Sequence, residues 1–331
     1  MKFTRLLAAA ASAAAVLFTA PAALAAPPAK TIVRLAYVTQ PTHSFGIGAR
    51  AFKEELVKLT GGRFEVQEFP AGALGGEREN MEQLQVGSLE VAIITAGVMG
   101  NFVPETGILD IPFLFRNEQH AQAVMDGEVG EELLRKFSKH HMVGLAWGES
   151  GFRQLANNKR PVATPDDLKG IKLRTMEVPV HIQGFKTLGA LPTPIAFPEV
   201  YTALQQGTVD AVESPTQTML TSKFFQVQKY LSMTNHIYAA SAFLASKRFI
   251  DGLSEADRKA FFQAARVGAK VMRKAVIDNE AAQIEELKKL GMQVTTKVDT
   301  ARFQATLAPA YADFAKKFGQ ANIDRIKNHK F

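Results

Sequence analysis

The chain predicts an α/β protein of two domains, and three observations carry that expectation. Short apolar strands alternate with helices of about ten residues twice over, the pattern of parallel βαβ units. The globular part is roughly 300 residues long, more than one core usually holds. A proline-free helical run from Ser254 to Leu290 would form a rod of about 54 Å, long enough to span both domains.

The elements follow in order. Lys2 and Arg5 precede an Ala-rich apolar stretch, Leu6 to Phe18, and Ala23-Leu24-Ala25 suits an A-x-A cleavage site. This is a secretory signal peptide rather than structure. "TIVRLAYVT" alternates and is β-branched, a first strand, and "QPTHS" is a loop. "FGIGARAFKEELVKLTGG" is an amphipathic helix stopped by Gly61-Gly62. "RFEVQEF" is a second strand, "ERENMEQLQVG" a helix, and "LEVAIITA" a buried strand ending at Thr95. "GILDIPFLFRN" packs beside that sheet, a helix breaks near Gly127, and "MVGLAWG" is a strand crossing toward the second domain.

The stretch Gly170 to Pro215 repeats the alternation. "IKLRT" is a strand, "PVHIQGFKTLG" a helix, and "TPIAF" a strand. "PEVYTALQQG" is a helix with Pro at its first position and Gly at its end, and "VDAVES" closes the unit as a strand. Ser254 and Asp257 cap the long helix. "MQVTT" returns as a strand, and "TARFQATLAPAYADFAKKFG" is helical. The expected division is a signal peptide at 1–25, domain I at 30–150 plus about 240–279, and domain II at 151–239 plus about 280–331.

Composition narrows the function. The formal charge is +7, of which Lys2 and Arg5 supply two, and the remaining bases are interleaved with acids. That argues against nucleic acid while favouring encounter with anions. There is no Cys, which removes disulfides, thiolate nucleophiles and Cys-based metal sites. "GIGARA", Gly46 to Ala51, mimics a dinucleotide fingerprint with Glu68 about twenty residues on. The loop "QPTHS" separates the strand from the glycines, where that motif needs the turn at once. No metal cluster, P-loop or nucleophile-elbow pattern stands out, so no cofactor is expected.

In open α/β sheets ligands bind beyond the carboxyl ends of the strands. Arg174, Phe197 and Ser214 fall at the ends of the three strands of the second unit. An arginine fork, an aromatic ring and a small hydroxyl converging on one cleft suit an organic anion, because the guanidinium matches both oxygens of a carboxylate.

The run from Arg153 through "KGIKLRTMEVP", "LGALPTPIAFPEVYTALQQGTVDAVESP" and "VQKYLSMTNHIY" resembles the DctP-type substrate-binding proteins of TRAP (tripartite ATP-independent periplasmic) transporters. The resemblance covers nearly all of the mature chain. It implies a two-domain periplasmic-binding-protein-like α/β fold with the long helix spanning both domains, and a solute captured as the domains close. It implies that Arg174 is the principal carboxylate-binding arginine. Arg153 would face the same region as one corner of a triad with Glu213 and His236. Phe197 corresponds to the aromatic stacking on the ligand or hinge, and Thr95 to a ligand-contacting strand end. Ser214 departs from the family's usual "ENP", and a serine makes fewer bonds than an asparagine amide.

His43 and Ser44 lie in the first βα loop, and Trp147, the only tryptophan, precedes Arg153 near the expected cleft. His43 is the histidine to test. His120, His140, His141, His181 and His329 read as solvated or incidental. The partners implied are a small organic acid and the integral membrane subunits of a TRAP transporter, with a monomer and a periplasmic location expected. The competing classes are an exported enzyme using His43 or Glu213 as a base, and a sensory binding module.

Overall fold

The computed structural model describes residues 30–331; the expected signal peptide lies outside them. The first unit runs β1 (Thr31–Ala36), α1 (Ser44–Leu59), β2 (Phe64–Phe69), α2 (Glu77–Val86) and β3 (Val91–Thr95), then one turn, α3 (Ala96–Met99). A 3-10 segment, Pro104–Asp110, and helices α4 (Glu118–Asp126) and α5 (Glu128–Lys136) lead into a long strand, β4 (Met142–Asn157). The second unit is β5 (Lys172–Thr175), α6 (Pro179–Thr187), β6 (Leu191–Pro194), α7 (Val200–Gln205) and β7 (Ala211–Pro215), then α8 (Thr216–Thr221). A second long strand, β8 (Tyr230–Ser246), precedes α9 (Lys247–Asp251) and α10 (Glu255–Lys289). The chain ends with β9 (Gln293–Thr295), α11 (Thr300–Thr306), α12 (Ala308–Phe318) and α13 (Gln320–Lys327).

These strands form one sheet in the order β2-β1-β3-β8-β4-β7-β5-β6, with β9 beside β8. In each unit the first strand lies between the second and third, all parallel. The right-handed crossover of parallel strands demands a helix between them, and α1, α2, α6 and α7 supply it. The two units meet through β4 and β8, which pair with each other antiparallel and run through both. β8 continues along β3, and β4 along β7.

The β4–β8 pair is irregular at the junction, with register shifts between Glu149 and Phe152 and between Arg153 and Leu155. Gly151 and Asn235 take positive φ there, +89° and +44°. Glycine meets that requirement without steric cost and asparagine tolerates it.

Helix α10 begins where its cap predicts, with Ser254 Oγ accepting from the Asp257 amide. Its first half packs on α1 in a core with Phe52, Phe243 and Phe261. Its last turn places Leu287 in a separate cluster with Val200, Val212 and Leu231. The helix therefore spans both units. The glycines of "GIGARA" have a packing role instead of a phosphate role. A Cβ on Gly46 would lie 2.3 Å from the Pro41 carbonyl oxygen, and one on Gly48 would lie 3.0 Å from that of Gly268.

One expectation changes, and one stretch given no element proves to be strand. The strand expected over "TPIAF" is Leu191–Pro194, and Phe197 opens a 3-10 turn, Phe197–Glu199. β6 is the edge strand, so Pro192 and Pro194 can leave their missing donors on the unpaired side. The segment "AASAFLAS" carries no alternation, yet it is part of the 17-residue β8. Both of its faces are buried, which erases the period-two signal.

Candidate ligand-binding site

The carboxyl ends of β1 and β3 face those of β5 and β7 across a cavity of about 570 Å³, its open mouth included. Arg153, Arg174, Phe197, Ser214 and Thr95 all line it. His43, Ser44 and Trp147 do not.

Arg174 is 2% exposed. Its Nε and Nη2 both donate to the Ile195 carbonyl oxygen, at 2.9 and 2.7 Å. Among the described residues no carboxylate lies within ion-pairing distance of it. Burial pushes its pKa down to about 10, with Glu213 opposing and Arg153 adding to the fall. The guanidinium is therefore charged at neutral pH, desolvated and unpaired, with Nη1 left for a ligand.

Arg153 is compensated. Its Nε and Nη2 fork onto the two carboxylate oxygens of Glu213, and Nη2 also donates to the Glu213 carbonyl at 2.7 Å. Neighbouring strands β4 and β7 set this pair, with Leu155 opposite Glu213 and Arg153 opposite Pro215. His236 Nε2 lies 3.3 Å from Glu213 Oε2, and its Nδ1 bonds Thr234 Oγ1 at 2.7 Å. Burial would raise the Glu213 pKa, but Arg153 and the flanking His181 and His236 hold it well below the usual carboxylate range. A buried pair of this kind is stable only with its remaining lone pairs satisfied.

His181 corrects an expectation. It is fully buried instead of solvated, with Nε2 2.7 Å from Asp110 Oδ1 and Nδ1 3.5 Å from Glu213 Oε1. Burial opposes its protonation, yet Asp110 and Glu213 raise its pKa. The expected triad thus extends to His181 and Asp110. The signal was present: His181, Gly184 and Phe185 share the buried face of α6. His120 is likewise buried, with Nε2 2.8 Å from the Ile326 carbonyl oxygen.

The residues away from the cavity have other partners. Trp147 donates from Nε1 to the Gly130 carbonyl at 2.9 Å and fills the core under α5. His43 caps α1: Nδ1 accepts from the Phe45 amide at 3.2 Å, so Nε2 carries the proton and donates to Thr218 Oγ1 at 3.1 Å. The Ser44 amide donates to Gln217 Oε1 at 3.0 Å. Both link the first unit to α8, whose Thr218 lines the cavity.

Glu77 went unremarked in the sequence. It is buried at the first position of α2 and lines the same cavity as Arg174. The Thr95 amide and hydroxyl donate to its two oxygens at 2.9 and 2.6 Å. An acid in the first turn of a helix is ordinarily a partner for the helix dipole, so nothing local marked it out.

Two α/β units joined by long shared strands, with a polar cleft between the strand ends, define a solute-binding protein. The sequence profile of "Bacterial extracellular solute-binding protein, family 7" matches residues 35–317, and the chain belongs to that family. A solute-binding protein of Verminephrobacter eiseniae is 47% identical over 91% of this chain and 90% of its own length. A TRAP periplasmic solute-binding protein from Polaromonas, solved with D-erythronate, superimposes with a TM-score of 0.90 at 50% identity, covering 91% of this chain and all of that one. The sugar acid binding protein of Advenella mimigardefordensis, solved with galactonate, gives 0.87 at 34% identity over 90% and 97% of the two chains. Among the described residues no helix is long and apolar enough to cross a membrane.

Proposed function

We propose that the protein captures a carboxylate-bearing organic acid in the periplasm and delivers it to the membrane subunits of a TRAP transporter. The ligand carboxylate rests on Arg174, with the neutralised Arg153 pair beside it and Phe197 and Ser214 along the wall. The two domains, 30–150 plus about 240–279 and 151–239 plus about 280–331, close over it. One observation carries this reading: Arg174 is a buried, unpaired cation in the wall of the interdomain cavity. Such a charge is costly unless an anion completes it. The acids bound by the Polaromonas and Advenella proteins support starting the search with hydroxylated monocarboxylates.

Removing one side of a buried, hydrogen-bonded charge pair costs about 2–5 kcal/mol, roughly 30- to 5000-fold in affinity. Arg174→Ala should weaken the tightest acid by at least that lower bound. Arg174→Lys, which keeps the charge and loses the planar fork, should recover only part. Titration calorimetry on the three proteins decides it. Wild-type affinity in the alanine variant would remove Arg174 from the site.

A further inference from the structure

We infer that His181 is a positioning residue of the binding site: held as an imidazolium between Asp110 and Glu213, it balances the charges behind Arg153 and leaves that of Arg174 for the ligand. The inference deepens the reading above and rests on it.

The two edges of the ring decide its state. Nε2 lies 2.7 Å from Asp110 Oδ1, and Asp110 Oδ2 has no partner among the described residues. Nδ1 stands 3.5 Å from Glu213 Oε1, an ionic separation, and likewise has no other partner. All three residues are buried. A neutral ring carries one proton, so it must turn the lone pair of its bare nitrogen toward one of the two carboxylates. Only the doubly protonated ring meets both acids with hydrogen. Burial opposes that charge, and Asp110 and Glu213 outweigh it.

The groups form a series of alternating sign. Asp110, His181, Glu213 and Arg153 follow one another in space, and their charges sum to zero. The groups around the series leave this balance intact. His236 on β8 touches the other Glu213 oxygen, but burial, helped by Arg153 and His181, holds its pKa below the ordinary 6.5 against Glu213, so its ring is neutral at pH 7. On α12, which packs against α6, Tyr311 bonds the Pro112 carbonyl at 3.1 Å and Asp313 accepts from Gln183 at 2.8 Å.

The balance reaches the ligand because Glu213 also acts on Arg174. Without the charge on His181 the series would carry a net −1, and a buried charge is felt farther than one in water. Arg174 would then answer an acid of the protein as well as the acid of the ligand. The same contact crosses between the units. Asp110 ends the 3-10 segment pressed on α3, where a Cβ on Gly97 would lie 2.9 Å from Asp110 Oδ1, whereas His181 belongs to α6 of the second unit.

Two substitutions separate charge from bracing. His181→Gln keeps a donor and removes the charge, leaving the series at −1. Adding Asp110→Asn returns the sum to zero without restoring the ring. D-Erythronate, the acid of the Polaromonas protein, is the probe. In calorimetry at pH 7 His181→Gln should bind it at least tenfold more weakly than wild type, and the double variant should regain at least threefold. A single variant with wild-type affinity overturns the inference. So does a double variant no tighter than the single one, which would make His181 only a brace. Nitrogen-15 NMR of the ligand-free wild type, with the ring assigned through the backbone, decides the matter even if the variants fail to fold. Protons on both ring nitrogens at pH 7 are expected, and a bare nitrogen overturns the inference. Erythronate binding that survives Arg174→Ala would sink the arginine reading, whereas a neutral His181 sinks only this inference. Failure of wild type to bind erythronate would sink the choice of acid, and the ring signals would still decide the charge on His181.

Discussion

His43 shows how one side chain serves two structural tasks only in one protonation state. Its Nδ1 must accept from the Phe45 amide and its Nε2 must donate to Thr218, so the neutral ring is required. Burial pushes its pKa down to about 3 from an ordinary 6.5. The unfolded chain therefore takes up a proton below pH 6.5 that the folded protein refuses until about pH 3. Stability from this residue is complete above 6.5 and is lost as pH falls, by about 1.4 kcal/mol per unit. His43→Asn keeps a good helix cap and does not titrate. Between pH 7 and pH 5 wild type should lose about 2 kcal/mol more than His43→Asn, read by urea denaturation at each pH. Equal losses would show that the ring is not held neutral. The other histidines with lowered values, His120 and His236, are common to both proteins and cancel.

At the level of elements, α10 and α1 cross where Gly268 meets Gly48. A Cβ on Gly268 would lie 2.7 Å from the Gly48 carbonyl oxygen and 2.9 Å from the Phe243 ring. The oxygen belongs to a helix backbone and cannot yield. Alanine is the better helix former by about 1 kcal/mol, yet the overpacking should cost about 1–3 kcal/mol. Gly268→Ala should therefore lower the melting temperature, while Gly252→Ala, whose nearest neighbour is 3.5 Å away, serves as the control. A stabilised Gly268→Ala would show that the helices part easily. The long helix itself was legible, since a cap, an apolar stripe and a proline-free run are local signals. The length of β8 was not, because burial on both faces removes alternation.

Across the whole molecule the two units touch by hydrogen bonds as well as by shared strands. His43 and Ser44 reach Thr218 and Gln217 on one flank. On the other, Asn101 Nδ2 donates to the Glu177 carbonyl at 2.8 Å. Contacts of this sort contribute about 1 kcal/mol each, weak enough to break and re-form in the proposed closure about the irregular stretch of β4 and β8. Small-angle scattering should show a smaller radius of gyration with a saturating acid than without it. An unchanged radius would count against hinge closure. His43→Ala, which loses one flank and leaves Thr218 of the cavity wall without that partner, should weaken acid binding.

Strand and helix placement, the family and the arginines Arg153 and Arg174 were all determined by the sequence alone, because turn residues, periodicity and short motifs act over a few residues. The pairing of charges was decided only by the tertiary structure. Arg153 and Glu213 stand sixty positions apart, and His181 reads as an ordinary helix residue until α6 turns it toward Glu213 and Asp110. Glu77 reads as a first-turn acid until β3 seats Thr95 on it and the fold brings it to the same cavity as Arg174. Which cation is spent and which is free depends on distances between segments remote in the chain, and those distances exist only once the sheet has formed.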